Sequence, residues 1–154
     1  PPLFRYHTII PALALRDGKL WSTFTNMGGF MQPQGHVQLL VSMIDYGLEP
    51  QLAIERPRFC IDVENDAANE ERSSTDGGAD ASRPCSAVSF EHAFDRATID
   101  ELRSKGHTVT TASFVESHGL YGRAQIIRRL DQPGSEGVLW AGSDPRADGC
   151  AMGW

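Results

Sequence analysis

Two adjacent glycines, Gly28 and Gly29, sit between a run that alternates apolar and polar residues and a run whose apolar residues recur at helical spacing. Upstream, Leu20-Trp21-Ser22-Thr23-Phe24-Thr25 has the period of two expected of a half-buried strand. Asp17-Gly18 separates it from a β-rich run over residues 8–15, so the pair reads as a β-hairpin. Downstream, Val37, Leu40, Val41 and Ile44 recur at three- and four-residue steps, with Pro33 early and Gly47 just past the end. That spacing predicts an amphipathic helix over 33–46 with those four residues as its apolar stripe. A strand that passes into a helix through paired glycines can take positive φ and let a ligand approach the main chain closely. The unpaired N–H groups at a helix start carry partial positive charge, so the segment 26–36 suits a carboxylate or a developing oxyanion.

The rest of the chain is legible in the same terms. Pro50 opens a short helix that Pro57 ends, and a strand is expected over 59–63. Residues 64–86 are rich in Asp, Glu, Asn, Ser, Gly and Ala with almost no aliphatic side chains, the composition of a solvated, mobile insertion. A strand is expected at 87–90, a helix over 97–105 with Ala97, Ile99 and Leu102 as its apolar residues, and strands over 108–114, 125–130 and 138–143. The turn Asp131-Gln132-Pro133-Gly134 makes a hairpin of the last two. The order β-β-α-α-β-loop-β-α-β-β-β is an α+β arrangement with antiparallel sheet in one domain over 1–154.

Charge and cysteine usage narrow the function. Twenty acidic against fourteen basic residues give a net charge of −6, and no basic stripe exists to neutralise phosphates, which argues against nucleic-acid or anionic-membrane partners. No apolar run approaches the ~20 residues that span a bilayer. Cys60, Cys85 and Cys150 are odd in number and widely spaced, the pattern of free or buried thiols. His36, His92, His107 and His118 lie far apart with no helical i, i+4 spacing, so nothing calls for a metal or a cofactor.

Tyr6-His7-Thr8-Ile9-Ile10-Pro11, Asn26-Met27-Gly28-Gly29 and Arg56-Pro57-Arg58-Phe59 occur in that order, and the chain closes on Ser143-Asp144-Pro145-Arg146. Together they resemble the C-terminal part of the small subunit of γ-glutamyltranspeptidase-like proteins, closely over 1–63 and 120–154 and loosely between. These are N-terminal-nucleophile hydrolases, in which self-cleavage exposes a threonine that is both nucleophile and, through its amine, its own base. The resemblance implies part of an αββα sandwich with two sheets between helical layers. It implies amide cleavage through a threonine acyl-enzyme on a γ-glutamyl compound such as glutathione. The remainder of the small subunit and the large subunit are the implied partners. This chain starts at Pro1-Pro2, so the nucleophilic threonine is not among its residues, and the segment alone is expected to line half a site without turning over substrate.

Within that resemblance Gly28 and Gly29 match the pair whose N–H groups form the oxyanion hole. His7 and Thr8 stand where many members carry two serines that hold the substrate's α-carboxylate; a strand would send their side chains to opposite faces, leaving one in the site. Arg56 and Arg58 are expected in surface or structural ion pairs, and Asp144-Pro145-Arg146 in a structural role. His36 draws attention by its place on the first turn of the helix beside the glycine pair. A non-catalytic folded fragment or small-anion-binding scaffold domain is the alternative reading of the same residues.

Overall fold

The computed structural model describes residues 9–61, 87–112, 120–130, 133–134 and 137–153. In chain order the elements are β1 (Ala12–Arg16), β2 (Lys19–Asn26), α1 (Met31–Ile44), α2 (Pro50–Glu55), β3 (Phe59–Ile61), β4 (Val88–Phe90), α3 (Arg96–Ser104), β5 (Val109–Thr111), β6 (Ala124–Arg129) and β7 (Leu139–Ser143). They fall into two compact units, Pro1–Arg56 with Gly122–Trp154, and Pro57–Tyr121. The insertion expected over 64–86 lies outside the described residues.

The first unit is a four-stranded antiparallel sheet, β1-β2-β6-β7, with α1 and α2 packed on it. Asp17 (φ 52°) and Gly18 (φ 73°) both take the left-handed conformation that a two-residue hairpin of this hand requires. Ala14 pairs with Ser22 and Leu15 with Leu20, so Trp21 is the extra residue of a bulge. Strict alternation would put Trp21 and Phe24 on opposite faces. The bulge brings Trp21 into the buried cluster with Phe24, Leu39, Met43, Ile54 and Ile126, where the guanidinium groups of Arg16 and Arg128 lie 4.6 and 5.2 Å from its ring centre.

Of the stripe expected to face the core from α1, Leu40 packs against it, half-buried, but the other three residues do not. Val37, Val41 and Ile44 are exposed, and the helix buries Met31, Gln32, Gly35, Leu39, Ser42 and Met43 instead. Gly35, Leu39, Ser42 and Met43 share one helical face, but two of them are small or polar and add little to an apolar periodicity. The sheet selects that face because the small residues allow close approach.

Glu49 caps α2, accepting from the Gln51 and Leu52 N–H groups at 3.1 Å each. The Gln51 amide then behaves as one more strand residue. Its Nε2 donates to the Ser143 carbonyl and its Oε1 accepts from the Ser143 N–H, both at 3.0 Å, tying the helix to β7. Gln51→Ala is expected to destabilise the protein by about 1–3 kcal/mol, since both hydrogen bonds to Ser143 and an exposed one to Glu55 are lost and the Ser143 N–H loses its acceptor. Urea unfolding of the full-length protein checks this as a fall in midpoint at unchanged slope.

The second unit carries a three-stranded sheet, β3-β4-β5, in which β3 and β4 are antiparallel and β4 and β5 parallel. The parallel pair, which the order of elements did not reveal, follows from the crossover through α3. Asp95 caps α3 by accepting from the Thr98 N–H (3.0 Å) and hydroxyl (2.8 Å), and these bonds hold its carboxyl below the usual range. Of the expected apolar face only Ile99 is fully buried. Phe59, Phe90 and Phe94 form an aromatic trio, with Phe90 and Phe94 edge to face at 4.6 Å.

Candidate functional site

Where β2 ends, Gly28 and Gly29 take φ values of 135° and 57°. The Gly28 carbonyl accepts from the Met31 N–H (3.0 Å) and the Gly29 carbonyl from the Gln32 N–H (3.1 Å), so both carbonyls are used by the first turn of α1. The N–H groups of the two glycines have no acceptor among the described residues. Phe30, the residue before α1, supplies no side-chain cap, and the first turn of the helix carries no acidic residue. The turn therefore presents two adjacent main-chain donors with the positive end of a helix dipole behind them.

Three contacts fix this turn. The Met27 N–H donates to the Arg123 carbonyl (3.1 Å), the Asn26 N–H donates to His36 Nε2 (3.0 Å), and Asn26 is fully buried against Gly35 and Gly122. At Gly122 (φ 74°) a Cβ would overlap the Met27 carbonyl oxygen, so only glycine fits there. A Cβ at Gly28 would stand 3.3 Å from the Gly122 Cα and 3.2 Å from the Met31 Cβ. The role of Gly122 and Arg123 as the seat of Asn26 and Met27 depends on a partner about 95 residues away in the chain and leaves no local signal.

His36 packs edge to face on Phe24 with ring centres 5.4 Å apart. An Nε2 that accepts a hydrogen bond leaves the proton on Nδ1 and the ring neutral. Burial acts in the same direction, holding the His36 pKa below its ordinary value of 6.5.

The remaining candidates are structural or lie elsewhere. Asp144 is fully buried: Oδ2 accepts from the Ala124 N–H (2.6 Å), and Oδ1 from the Arg146 N–H (2.9 Å) and Nη1 (3.1 Å). Arg146 also donates to the carbonyls of Ile54 and Arg56, so the Asp144-Pro145-Arg146 segment ties the end of α2 to the start of β6. The Arg56 guanidinium covers the Tyr46 ring at 4.3 Å. Arg58 is only 2% exposed and donates from Nη1 to the Tyr121 carbonyl (3.0 Å), while its N–H meets the buried Glu91 carboxylate (2.7 Å). It is a core residue of the second unit and not a surface one, so of the two expected settings the structure excludes the surface. His92 and His107 are exposed, Cys60 is a buried and Cys150 an exposed free thiol, and no group of three metal-ligating side chains occurs among the described residues. His7, Thr8, Cys85 and His118 lie outside the described residues. No helix among the described residues is long and apolar enough to cross a membrane. A groove of about 520 Å³ runs between Ile127, Leu139 and Ala141 and residues 151–153; none of the turn residues lines it.

A sequence profile of the family described as Gamma-glutamyltranspeptidase matches residues 5–154. The chain is 31% identical over 148 residues to the glutathione hydrolase-like YwrD proenzyme of Bacillus subtilis (strain 168), a match covering 96% of this chain and 24% of that protein. It is 31% identical over 151 residues to the oxamate amidohydrolase proenzyme of Klebsiella pneumoniae subsp. pneumoniae, covering 97% and 24% respectively. Among solved structures it is similar to the cephalosporin acylase from Bacillus halodurans, with a TM-score of 0.73 and 33% identity over 97% of this chain and 23% of that one. The chain thus spans about a quarter of the length of the relatives it matches.

Proposed function

The chain belongs to the γ-glutamyltranspeptidase family, and from that premise we propose that it contributes the oxyanion-binding turn of an amide-cleaving N-terminal-nucleophile hydrolase or transferase. The observation that carries this reading is the pair of N–H groups of Gly28 and Gly29, adjacent, at positive φ and without an acceptor among the described residues. When a threonine hydroxyl adds to an amide carbonyl, the carbonyl oxygen becomes negative. Main-chain donors already aimed at it stabilise the transition state with no reorganisation at the moment of reaction. The threonine and its base amine belong to another part of the protein, which supplies the other half of the site.

The relatives' names describe a glutathione hydrolase-like protein, an amidohydrolase of oxamate and an acylase of cephalosporins. Cleavage of an amide is common to all three, and an oxyanion hole is the part of such a site that reads only the carbonyl. The acyl group proposed here is γ-glutamyl, as in glutathione, with His7 and Thr8 on its α-carboxylate. Two relatives are named as proenzymes, in keeping with a protein cut into two chains, whose large subunit and remaining small subunit are this segment's partners.

The test is made on the full-length protein after processing, assayed with a chromogenic γ-glutamyl amide, with oxamate and with an acylated β-lactam amine. Turnover of the γ-glutamyl amide, with a rise in KM at unchanged kcat in Thr8→Val or His7→Ala, is the expected result. Failure of a correctly processed protein to cleave any of the three refutes the reading, and cleavage of only the other two refutes the γ-glutamyl assignment.

A further inference from the structure

We propose that His36 is a positioning residue for the oxyanion turn: its neutral imidazole anchors the end of β2 so that the Gly28 and Gly29 N–H groups stay aimed, and protonation of the ring releases them. The proposal rests on the oxyanion reading of that turn.

The geometry begins with the strand ladder. Asn26 lies opposite Ala124, and the neighbouring Met27 N–H is bonded to the Arg123 carbonyl. Hydrogen-bonded and non-hydrogen-bonded pairs alternate along an antiparallel ladder, so the Asn26 N–H points away from β6. On that side β1 begins only at Ala12, opposite Phe24, and does not reach Asn26. The last N–H of β2 therefore emerges into a buried place with no strand to receive it, and His36 Nε2, brought there by α1, is its acceptor. Asn26 stands two residues before Gly28, so the anchor acts directly on the strand end that carries the donors.

A proton on Nε2 would replace that acceptor with a donor facing another donor. The surroundings offer a positive ring no compensation. Residues 31–44 contain no Asp, Glu, Lys or Arg. On β2 the neighbours are Phe24 and Asn26, and on the sheet beyond them Arg128 lies over Trp21 and Asp144 is held by Arg146. Arg123 is exposed, and no charged side chain among the described residues pairs with His36. Burial accordingly lowers the His36 pKa. The sign follows: a folded-state pKa below the unfolded value gives a stabilisation complete above pH 6.5 and lost as pH falls from there through the folded-state pKa. Turnover should carry the same acid-side loss.

The experiment uses the processed full-length enzyme with two variants and two readouts. His36→Phe keeps the ring on Phe24 and removes the acceptor, and it is expected to lower kcat by about tenfold above pH 6.5 with little change in KM, the difference from the wild type narrowing as pH falls and the wild-type ring takes up its proton. His36→Gln keeps a neutral acceptor that cannot titrate, and is expected to flatten the acid limb of the kcat profile whatever its absolute rate. Hydrogen exchange of the 26–30 amides, corrected for intrinsic rates, is expected to quicken in His36→Phe at neutral pH. It is expected to quicken in the wild type but not in His36→Gln under mildly acid conditions. An unchanged acid limb in His36→Gln, or unchanged exchange in His36→Phe, overturns the proposal. If kcat still falls in a Gly28→Ala control, the failure lies with His36 alone. Faster exchange at wild-type kcat also overturns it, and takes the oxyanion assignment with it.

Discussion

Gly28→Ala in the full-length protein is expected to cut kcat by about 10²–10³-fold, the usual cost of removing one oxyanion donor. The reason is steric as well as conformational. At φ 135° an L side chain is strained, and the new Cβ would meet the Met31 Cβ at 3.2 Å and the Gly122 Cα at 3.3 Å, tighter than ordinary contacts, in a place where Gly122 has no room to retreat. The chain must rotate about Gly28, and the donors rotate with it. Gly29 differs: nothing lies within 4 Å of a Cβ there, so only its φ of 57° resists substitution. Gly29→Val, β-branched and poorly tolerated in the left-handed region, should lose comparable activity, and Gly29→Asn, which tolerates that region, should lose less. Processing and folding are verified separately by subunit mass and thermal unfolding. A folded, processed Gly28→Ala or Gly29→Val enzyme with wild-type kcat would reduce the glycine pair to a turn.

Asp144→Ala is expected to destabilise the protein by about 3–5 kcal/mol. The carboxylate is fully buried and meets three donors, the N–H groups of Ala124 and Arg146 and the Arg146 guanidinium, which is itself only 11% exposed. Removing it leaves a nearly buried positive charge and two main-chain donors without their acceptor, while a hydrophobic replacement of similar size would not supply one. Asp144→Asn retains one acceptor oxygen but turns an NH₂ toward a donor, so it should fall between wild type and Asp144→Ala. Equilibrium unfolding in guanidinium measures both, and a change below about 1 kcal/mol in Asp144→Ala would mean that the segment 144–146 does not hold β6 to α2.

The sequence by itself determined what local backbone chemistry can specify. The hairpin at Asp17-Gly18, the glycine pair between strand and helix, the Pro50 helix start and the order of strands and helices all depend on φ preferences and periodicity within a few residues, and all are present in the structure. Motifs strung along the chain were enough to point to the family. Tertiary structure decided everything that needs a distant partner. It chose the Gly35, Leu39, Ser42 and Met43 face of α1 over the more apolar stripe, because fit against β2 outweighs hydropathy. It turned Trp21 inward through a bulge set by pairing with β1. It buried Arg58, seated Asn26 on Gly122, and gave the last N–H of β2 to His36 because β1 stops short of it. No window of neighbouring residues contains those facts, since the groups that satisfy them come together only when the chain closes on itself.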